Sequence, residues 1–269
     1  MAAGPPRITI VTPCLNQRAF LEQTLRSVAE QEGSGRAFEV EHIVIDGGSR
    51  DGSVELLEQW SSRLAHWESG PDAGQADAIN RGFERGSGSI MSWLNSDDVL
   101  LPGSLQAVAH AFRRSEVEAV CGWAWIIDEH GRRLEAMVYP PPTLKTLRVY
   151  PRLQQETVFW RRSVWDRVGP LDASLRYCMD RDLWLKMALA GVQPHLIPRF
   201  QSGFRRHASQ KGAEDRLAIN AEADRLLQAM HGEHEKMKSL RKRLPWGWRK
   251  RRQALQFAAR CGLLRLLSR

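Results

Sequence analysis

The sequence predicts an α/β fold with a mixed, mostly parallel sheet flanked by helices and followed by a basic helical extension. Three observations lead there. β-Branched runs alternate with segments of helical periodicity in the order β-α-β-α, which builds parallel sheets. One apolar run, Ile90-Met91-Ser92-Trp93-Leu94, leads straight into Asn95-Ser96-Asp97-Asp98, so oxygen-bearing side chains sit at the carboxyl end of a strand. That is where open α/β sheets bind ligands. The positive charge, finally, is gathered at one end of the chain.

The elements follow in order. Arg7-Ile8-Thr9-Ile10-Val11-Thr12 is a β-branched run closed by Pro13, a first buried strand. Cys14 to Gln17 is a turn, and Phe20, Leu21, Leu25 and Val28 then recur at helical spacing. Val40 to Asp46 is a second strand ending in Gly47-Gly48-Ser49, and Asp51 or Ser53 caps the helix carrying Val54, Leu57 and Leu64. Trp67-Glu68-Ser69 is a third short strand, with a helix from Ala76 to Phe83 after the loop Gly70 to Gly74. Beyond Pro102 come a helix over 104–113, a strand over 119–127 and a return strand over 134–138. Pro140-Pro141-Pro142 marks a loop and Thr157 to Trp160 a strand. Asp180-Arg181-Asp182 opens a helix that carries Leu183, Trp184 and Met187. Phe204 to His207 is a last short strand or loop, and a helix is expected over 214–231.

At 269 residues the chain is long enough for one large α/β domain, read here as 1–212, and an appendage, read as 213–269. Its four cysteines are scattered without CxxC or Cys/His spacing, which argues against structural zinc and for free thiols in a reducing cytosol. The first residues lack the apolar core of a signal peptide, and no run reaches the ~18 apolar residues of a membrane span. Residues 236–269 hold 12 Lys+Arg and no Asp or Glu, which leaves the first 235 residues at a net charge of −4. A body of that sign argues against a nucleic-acid groove across the globular domain.

Several side chains could carry chemistry. Asn95, Asp97 and Asp98 offer hard oxygens that suit Mg²⁺ or Mn²⁺, although Asp and Asn are equally the preferred residues of caps and turns. Asp46 precedes two glycines, so a ligand can approach the backbone there and bond to its carboxylate. Asp77 and Arg81 are an i, i+4 pair, while Asn80 has poor helix propensity for its mid-helix position. Asp180 is placed either to cap its helix or to act as a general base beside apolar surface. His207, among Arg205, Arg206 and Lys211, is either a ligand or plain surface.

Taken together, these segments resemble a family 2 glycosyltransferase with a GT-A fold, in order over roughly residues 7–212. The pieces are Ile10-Val11-Thr12-Pro13 with Asn16, Ile45 to Ser49 with Asp51-Gly52-Ser53, Asp72 to Gly82, and Trp93 to Asp98. Gln155 with Phe159 to Arg162, Asp180 to Trp184, and Arg205-Arg206-His207 complete the set. The resemblance implies an inverting enzyme that moves a sugar from a nucleotide-sugar, most simply a UDP-sugar, to a saccharide or lipid-linked acceptor. Thr12, Pro13, Asn16, Asp46 and Asp51 would line the nucleotide pocket, and Gly74, Asp77 and Asn80 would lie along the donor. Asn95-Ser96-Asp97 would be the DxD metal motif, with Asp97 and His207 as ligands to Mn²⁺ or Mg²⁺. Asp180 would be the catalytic base. Asn95 stands where the family's first DxD carboxylate falls, so that position brings no charge.

Two rival readings compete. A sugar-phosphate nucleotidyltransferase needs a Gly-rich, Arg- and Lys-bearing loop after the first strand, and Pro13-Cys14-Leu15-Asn16 does not supply one. A non-catalytic module binding nucleic acid or membrane through its tail would not need both Asp97 and Asp180. In the tail, Trp246 and Trp248 lie between basic clusters, and a leucine-rich stretch follows. That pattern suits an anionic membrane surface and predicts a cytoplasmic protein peripheral to the inner face of the membrane. The alternative is a solvated helix packed on the protein's own body, or a protein contact.

Overall fold

The computed structural model describes residues 4–31, 33–35, 37–149, 151–211, 215–231 and 254–256. Nine strands form one sheet. They are β1 (Arg7–Cys14), β2 (Glu39–Asp46), β3 (His66–Ser69), β4 (Ile90–Trp93), β5 (Val99–Leu100), β6 (Ala119–Ile127), β7 (Arg133–Met137), β8 (Phe159–Arg161) and β9 (His195–Arg205). The order across the sheet is β3-β2-β1-β4-β8-β6-β9-β5, with β7 paired to β6. The long ladders, β1–β2 and β6–β9, are parallel, while β8, β5 and β7 add short antiparallel pairs. The sheet is therefore mixed and mostly parallel, as its alternating sequence requires.

Helices α1 (Arg18–Ala29), α2 (Ser53–Trp60), α3 (Gln75–Arg85) and α4 (Ser104–Ala111) link the first strands. β1 is buried on both faces because these crossovers cover both sides, which is why its sequence reads as a continuous apolar run. α3 lies close on β1 at Gly82, where any Cβ would collide with the side chain of Val11. Four further helices follow: α5 (Leu144–Val149), α6 (Arg162–Val168), α7 (Met179–Leu189) and α8 (Arg216–His231).

The core under the site is aromatic. Trp93 at the end of β4 stacks on Trp184 of α7, with ring centroids 5.9 Å apart and planes 11° apart. Trp160 of β8 meets both edge-on, at 5.8 and 6.0 Å. Such pairs add about 0.5–1.5 kcal/mol each beyond buried area. They also fix the start of α7 against the end of β4.

Four elements differ from the sequence reading. β9 runs eleven residues, where only its last two had strand expectation. Its register shifts against β6 near Trp123, so the period-2 pattern that marks a strand is broken. Residues Gln155–Thr157 form a 3-10 turn ahead of β8, in which the Thr157 hydroxyl donates to the Gln154 carbonyl and the Gln155 amide to the carbonyl of Trp93. Helices α5 and α6 are too short to leave a clear 3.6-residue period.

α8 falls beyond residue 212 yet rests on the main body. Leu226 packs on Leu185 of α7, and Glu222 accepts the backbone N–H groups of Arg176, Tyr177 and Cys178 at 2.7–2.8 Å. Leu255 packs against the main core. The remainder of the basic tail, with Trp246 and Trp248, lies outside the described residues. Among the described residues no helix is long and apolar enough to cross a membrane.

Candidate active site

The turn after β4 is held from three sides. Thr24, buried on α1, donates its hydroxyl to the carbonyls of Ser96 and Asp98 at 2.9 and 2.7 Å. Ser27, one turn on, accepts the N–H group of Leu100, and Gln31, just past the end of α1, accepts that of Leu105. Polar side chains of α1 and of the segment that leaves it thus stitch down the chain from 96 to 105. Arg205, fully buried at the end of β9, reaches from the other side. Its guanidinium donates to the carbonyls of Asp97, Asp128 and Glu129 and to Gln23 Oε1, all within 3.1 Å, and lies 5.0 Å over the Phe20 ring. Burial lowers its pKa, and the charges of Asp98, Asp97 and Asp128 work against that shift.

So held, the two adjacent carboxylates point to different environments. Asp97 Oδ2 lies 3.0 Å from His207 Nε2. The other ring nitrogen of His207 bonds to Ser209 Oγ at 2.9 Å, and the ring packs against Phe20, which fixes its orientation. Asp98 turns inward, accepting the backbone N–H of Arg205 at 2.8 Å and the Asn95 amide at 3.3 Å. Burial, followed by the charges of Asp97 and Glu156, pushes its pKa well above the usual carboxylate value. Of the pair, Asp97 is the one that faces the imidazole. Asn95 is tied on both sides. Its carbonyl accepts from Gln75 Nε2 at 2.8 Å, and its amide lies 3.4 Å from Gln155 Oε1. Gln75 Oε1 in turn accepts from Lys211 Nζ at 3.1 Å.

Asp180 opens α7 and accepts the Arg181 N–H at 2.8 Å. Burial raises its pKa, and Arg181 opposes the shift. A carboxyl with raised proton affinity is suited to general-base work. Glu156, almost fully buried, sits within the field of Asp180, and burial pushes its pKa up to about 7.

The residues of the first half lie at the ends of β1 and β2 and at the start of α3. Asp46 is fully buried at the end of β2 and accepts from the N–H groups of Gly48 and Ser49 and from the hydroxyls of Ser49 and Ser69. Gly47 brings this loop so close to Asp72 that a Cβ would lie 2.8 Å from Asp72 Oδ2. Asn16, exposed and with φ at 52°, receives the Arg50 N–H on its side chain, and Asp51 receives the Arg18 N–H. Thr12 and Pro13 are buried in β1, where the Thr12 hydroxyl lies 2.9 Å from His42 Nε2. Gly74 is exposed ahead of α3, and Asp77 accepts the Ala73 N–H at 3.2 Å. Asn80 brackets the backbone of Leu171, accepting its N–H at 3.0 Å and donating to its carbonyl at 2.9 Å.

The sequence model of glycosyl transferase family 2 matches residues 9–162, more than half of the chain. The chain belongs to glycosyltransferase family 2. An uncharacterized glycosyltransferase of Mycobacterium tuberculosis is 29% identical over 192 residues, covering 68% of this chain and 70% of the relative. A putative teichuronic acid biosynthesis glycosyltransferase of Bacillus subtilis is 27% identical over 150 residues, 54% of this chain and 57% of the relative. The fold is that of GT-A transferases. S. aureus TarS 1-349 in complex with UDP-GlcNAc superposes with a TM-score of 0.67 at 15% identity, covering 87% of this chain and 70% of that one. A mannosyltransferase from Pyrobaculum calidifontis in complex with GDP-Man and Mn²⁺ gives 0.63 at 19% identity, covering 95% and 75%.

This family 2 member can be tested for fit to a divalent cation. Asp97 and His207 present a carboxylate oxygen and an imidazole nitrogen 3.0 Å apart. Mg²⁺ is commonly held by one or two carboxylates and completes its shell with phosphate and water. The Asp97 carboxylate fits that pattern with the His207 nitrogen beside it, and the Asn95 carbonyl is already taken by Gln75. Among the described residues no group of three His, Cys, Asp or Glu converges on one point.

Several residues that build the site escaped the sequence reading. Thr24 and Ser27 did carry a signal, since polar residues at i and i+3 on an otherwise apolar helix face need partners. Arg205 carried none, because nothing in Arg205-Arg206 says which of the two is buried. Glu222 and Gln75 act on residues 44–46 and 20 positions away, beyond any local pattern.

Proposed function

We propose that this transferase moves a sugar from a nucleotide-sugar, most simply a UDP-sugar, to a saccharide or lipid-linked acceptor with inversion. The observation that carries the reading is the Asp97–His207 pair at the end of β4, joined to the Asp180 helix by the Trp93–Trp184 stack. Asp46, Asn16 and Asp51, with Thr12 and Pro13 beneath, would form the nucleotide end, and Gly74, Asp77 and Asn80 would border the donor. Asp97 and His207 would hold Mn²⁺ or Mg²⁺, which when bound offsets charge on the diphosphate. Asp180 takes the proton from the acceptor hydroxyl as its oxygen attacks the anomeric carbon. The diphosphate leaves from the opposite face, which inverts the configuration. The raised proton affinity of Asp180 makes it a stronger base than a solvated carboxylate.

Relatives named for teichuronic acid biosynthesis and for PGL/p-HBAD biosynthesis support a place in cell-surface glycan or glycolipid synthesis. A basic tail would hold the enzyme on the inner face of a membrane, near a lipid-linked acceptor. Each Lys or Arg near an anionic surface contributes about 1 kcal/mol. The direct test is a donor screen scored by nucleoside diphosphate release. No release with any UDP-, GDP- or dTDP-sugar, across a panel of acceptors, would defeat the reading. For the tail, truncation after Glu235 should abolish sedimentation with phosphatidylglycerol vesicles at low salt. Full-length protein that ignores such vesicles has its tail engaged elsewhere.

A further inference from the structure

We propose that Glu222 is a positioning residue for the transfer step: it grips the backbone of residues 176–178 and so fixes where Asp180 stands, which makes α8 part of the catalytic unit. The proposal rests on the reading of Asp180 as the base and adds a residue that acts through it.

The start of α7 is not secured by its own side chains. Cys178 holds the N-cap position, and its side chain makes no capping bond. What secures it comes from α8. Glu222, only 6% exposed, accepts the Arg176 N–H on Oε1 at 2.7 Å. Its Oε2 accepts the N–H groups of Tyr177 and Cys178 at 2.7 and 2.8 Å. Three successive N–H groups turned towards one carboxylate make a concave anion seat of backbone, filled here by the protein's own side chain. A carboxylate at that end also suits the dipole of α7. The carbonyl of Cys178 in turn accepts the Asp182 N–H at 2.9 Å, a bond that closes the first turn of α7 around Asp180. The grip therefore acts on the residue from which that turn springs.

The rest of α8 reinforces the contact. Asp215, which caps α8 at Ala218, accepts the Tyr177 hydroxyl at 3.3 Å. The Ile219 carbonyl lies 3.6 Å from Cys178 Sγ, and Leu226 packs on Leu185 of α7. Residues 215, 219, 222 and 226 recur every three or four positions, so one face of the helix makes all of these contacts. On the other side of Asp180, Trp184 is stacked on Trp93. The base thus stands between two anchors, the gripped loop just before it and the aromatic stack one turn after it. Without Glu222, three N–H groups lose their acceptor, and Cys178 is fully buried, so the loop has to move to satisfy them. A general base works only within hydrogen-bond reach of its proton, and a misplacement of about 1 Å costs about 10²-fold in rate.

The test uses full-length protein and the donor–acceptor pair that releases most nucleoside diphosphate in the donor screen, with rates referred to the fraction folded by circular dichroism. Glu222→Ala should lower kcat at least about tenfold while both KM values change less than about threefold, the split left by an interaction that matters only in the transition state. Glu222→Gln keeps an oxygen for Tyr177 and Cys178 but turns a donor towards Arg176. Its kcat should fall at least about threefold and stay above that of the alanine variant. Leu226→Ala loosens α8 and spares the carboxylate, so its kcat should stay within about threefold of the unaltered protein. Hydrogen exchange gives a readout free of substrate. In Glu222→Ala the segment 176–182 should exchange at least about tenfold faster, and the segment 46–51 should not change. An undiminished kcat in Glu222→Ala overturns the proposal. So does a rise in KM alone, which assigns Glu222 to substrate binding, or an equal loss in Leu226→Ala, which makes the docking of α8 the cause. If the alanine variant does not fold, an undiminished kcat in Glu222→Gln overturns it. Full turnover in Asp180→Asn defeats the base reading instead, and a loss there with none in Glu222→Ala defeats this proposal alone.

Discussion

The two halves of the site are built in opposite ways. Around Asp46 the polar groups are matched within one βαβ neighbourhood, by the loop's own backbone and by hydroxyls no more than 23 residues away. Around Asp97 the partners come from far along the chain. His207 is 110 residues away, Arg205 meets Asp98 across 107 residues, and the same Arg205 meets Gln23 across 182. The first half is a regular parallel unit whose loops satisfy themselves. The second is assembled from an irregular strand, a 3-10 turn and a helix start, held by buried side chains. The proposed nucleotide seat is therefore built locally around Asp46, whereas the proposed transfer centre depends on the whole fold.

The largest test of that contrast is Asp180→Asn. It should lower turnover by about 10²–10⁴, the usual range for a general base, while donor affinity changes less than threefold. Acceptor-dependent turnover within threefold of the unaltered protein would remove Asp180 from the base role. Asp97→Ala should lower turnover by about 10²-fold, the scale seen when one group that stabilises developing charge is lost. Undiminished activity in excess EDTA would dismiss the metal assignment and leave Asp97 as the anchor of His207 alone.

Arg205→Met asks whether the second half really hangs on one buried cation. Four acceptors would lose their donor, so the urea midpoint should report a loss of about 3–5 kcal/mol. The exposed neighbour Arg206→Met should stay within about 0.5 kcal/mol. Equal effects would mean that Arg205 does not carry the turn.

Glu156 gives the contrast a pH signature. Its folded pKa, about 7, lies above the ordinary 4.5 of a glutamate. The folded state therefore keeps a proton that the unfolded state releases between those values. Stability should fall as pH rises from about 4.5 to about 7, by roughly 1–3 kcal/mol. Glu156→Gln should flatten that fall. A pH dependence identical to that of the unaltered protein would show that another group titrates there.

Asn80→Ala is the smallest test and bears on the first half. It leaves the N–H and carbonyl of Leu171 without their partner, for a loss of about 1–2 kcal/mol in chemical denaturation. A much larger change in donor affinity than in stability would place Asn80 against the donor as well.

The sequence by itself determined the parallel unit and the position of the carboxylates. Alternation of apolar and helical segments requires crossovers on both faces of a sheet, and strand ends then open towards one edge. Ile90 to Asp98 and Asp180 could be singled out because each lies where a regular element stops. Only the tertiary structure decided that Asp97 faces His207 while Asp98 turns inward to the Arg205 backbone. Adjacent residues point apart, and nothing local says which of two aspartates is buried. It also decided that Arg205 is interior and Arg206 exposed, that Asn95 is held by Gln75, and that Glu222 of α8 orders the loop before Asp180. In each case the deciding free energy is the cost of leaving a buried polar group unpaired. The partner that removes the cost is brought by strand pairing and aromatic packing, not by neighbours in the chain.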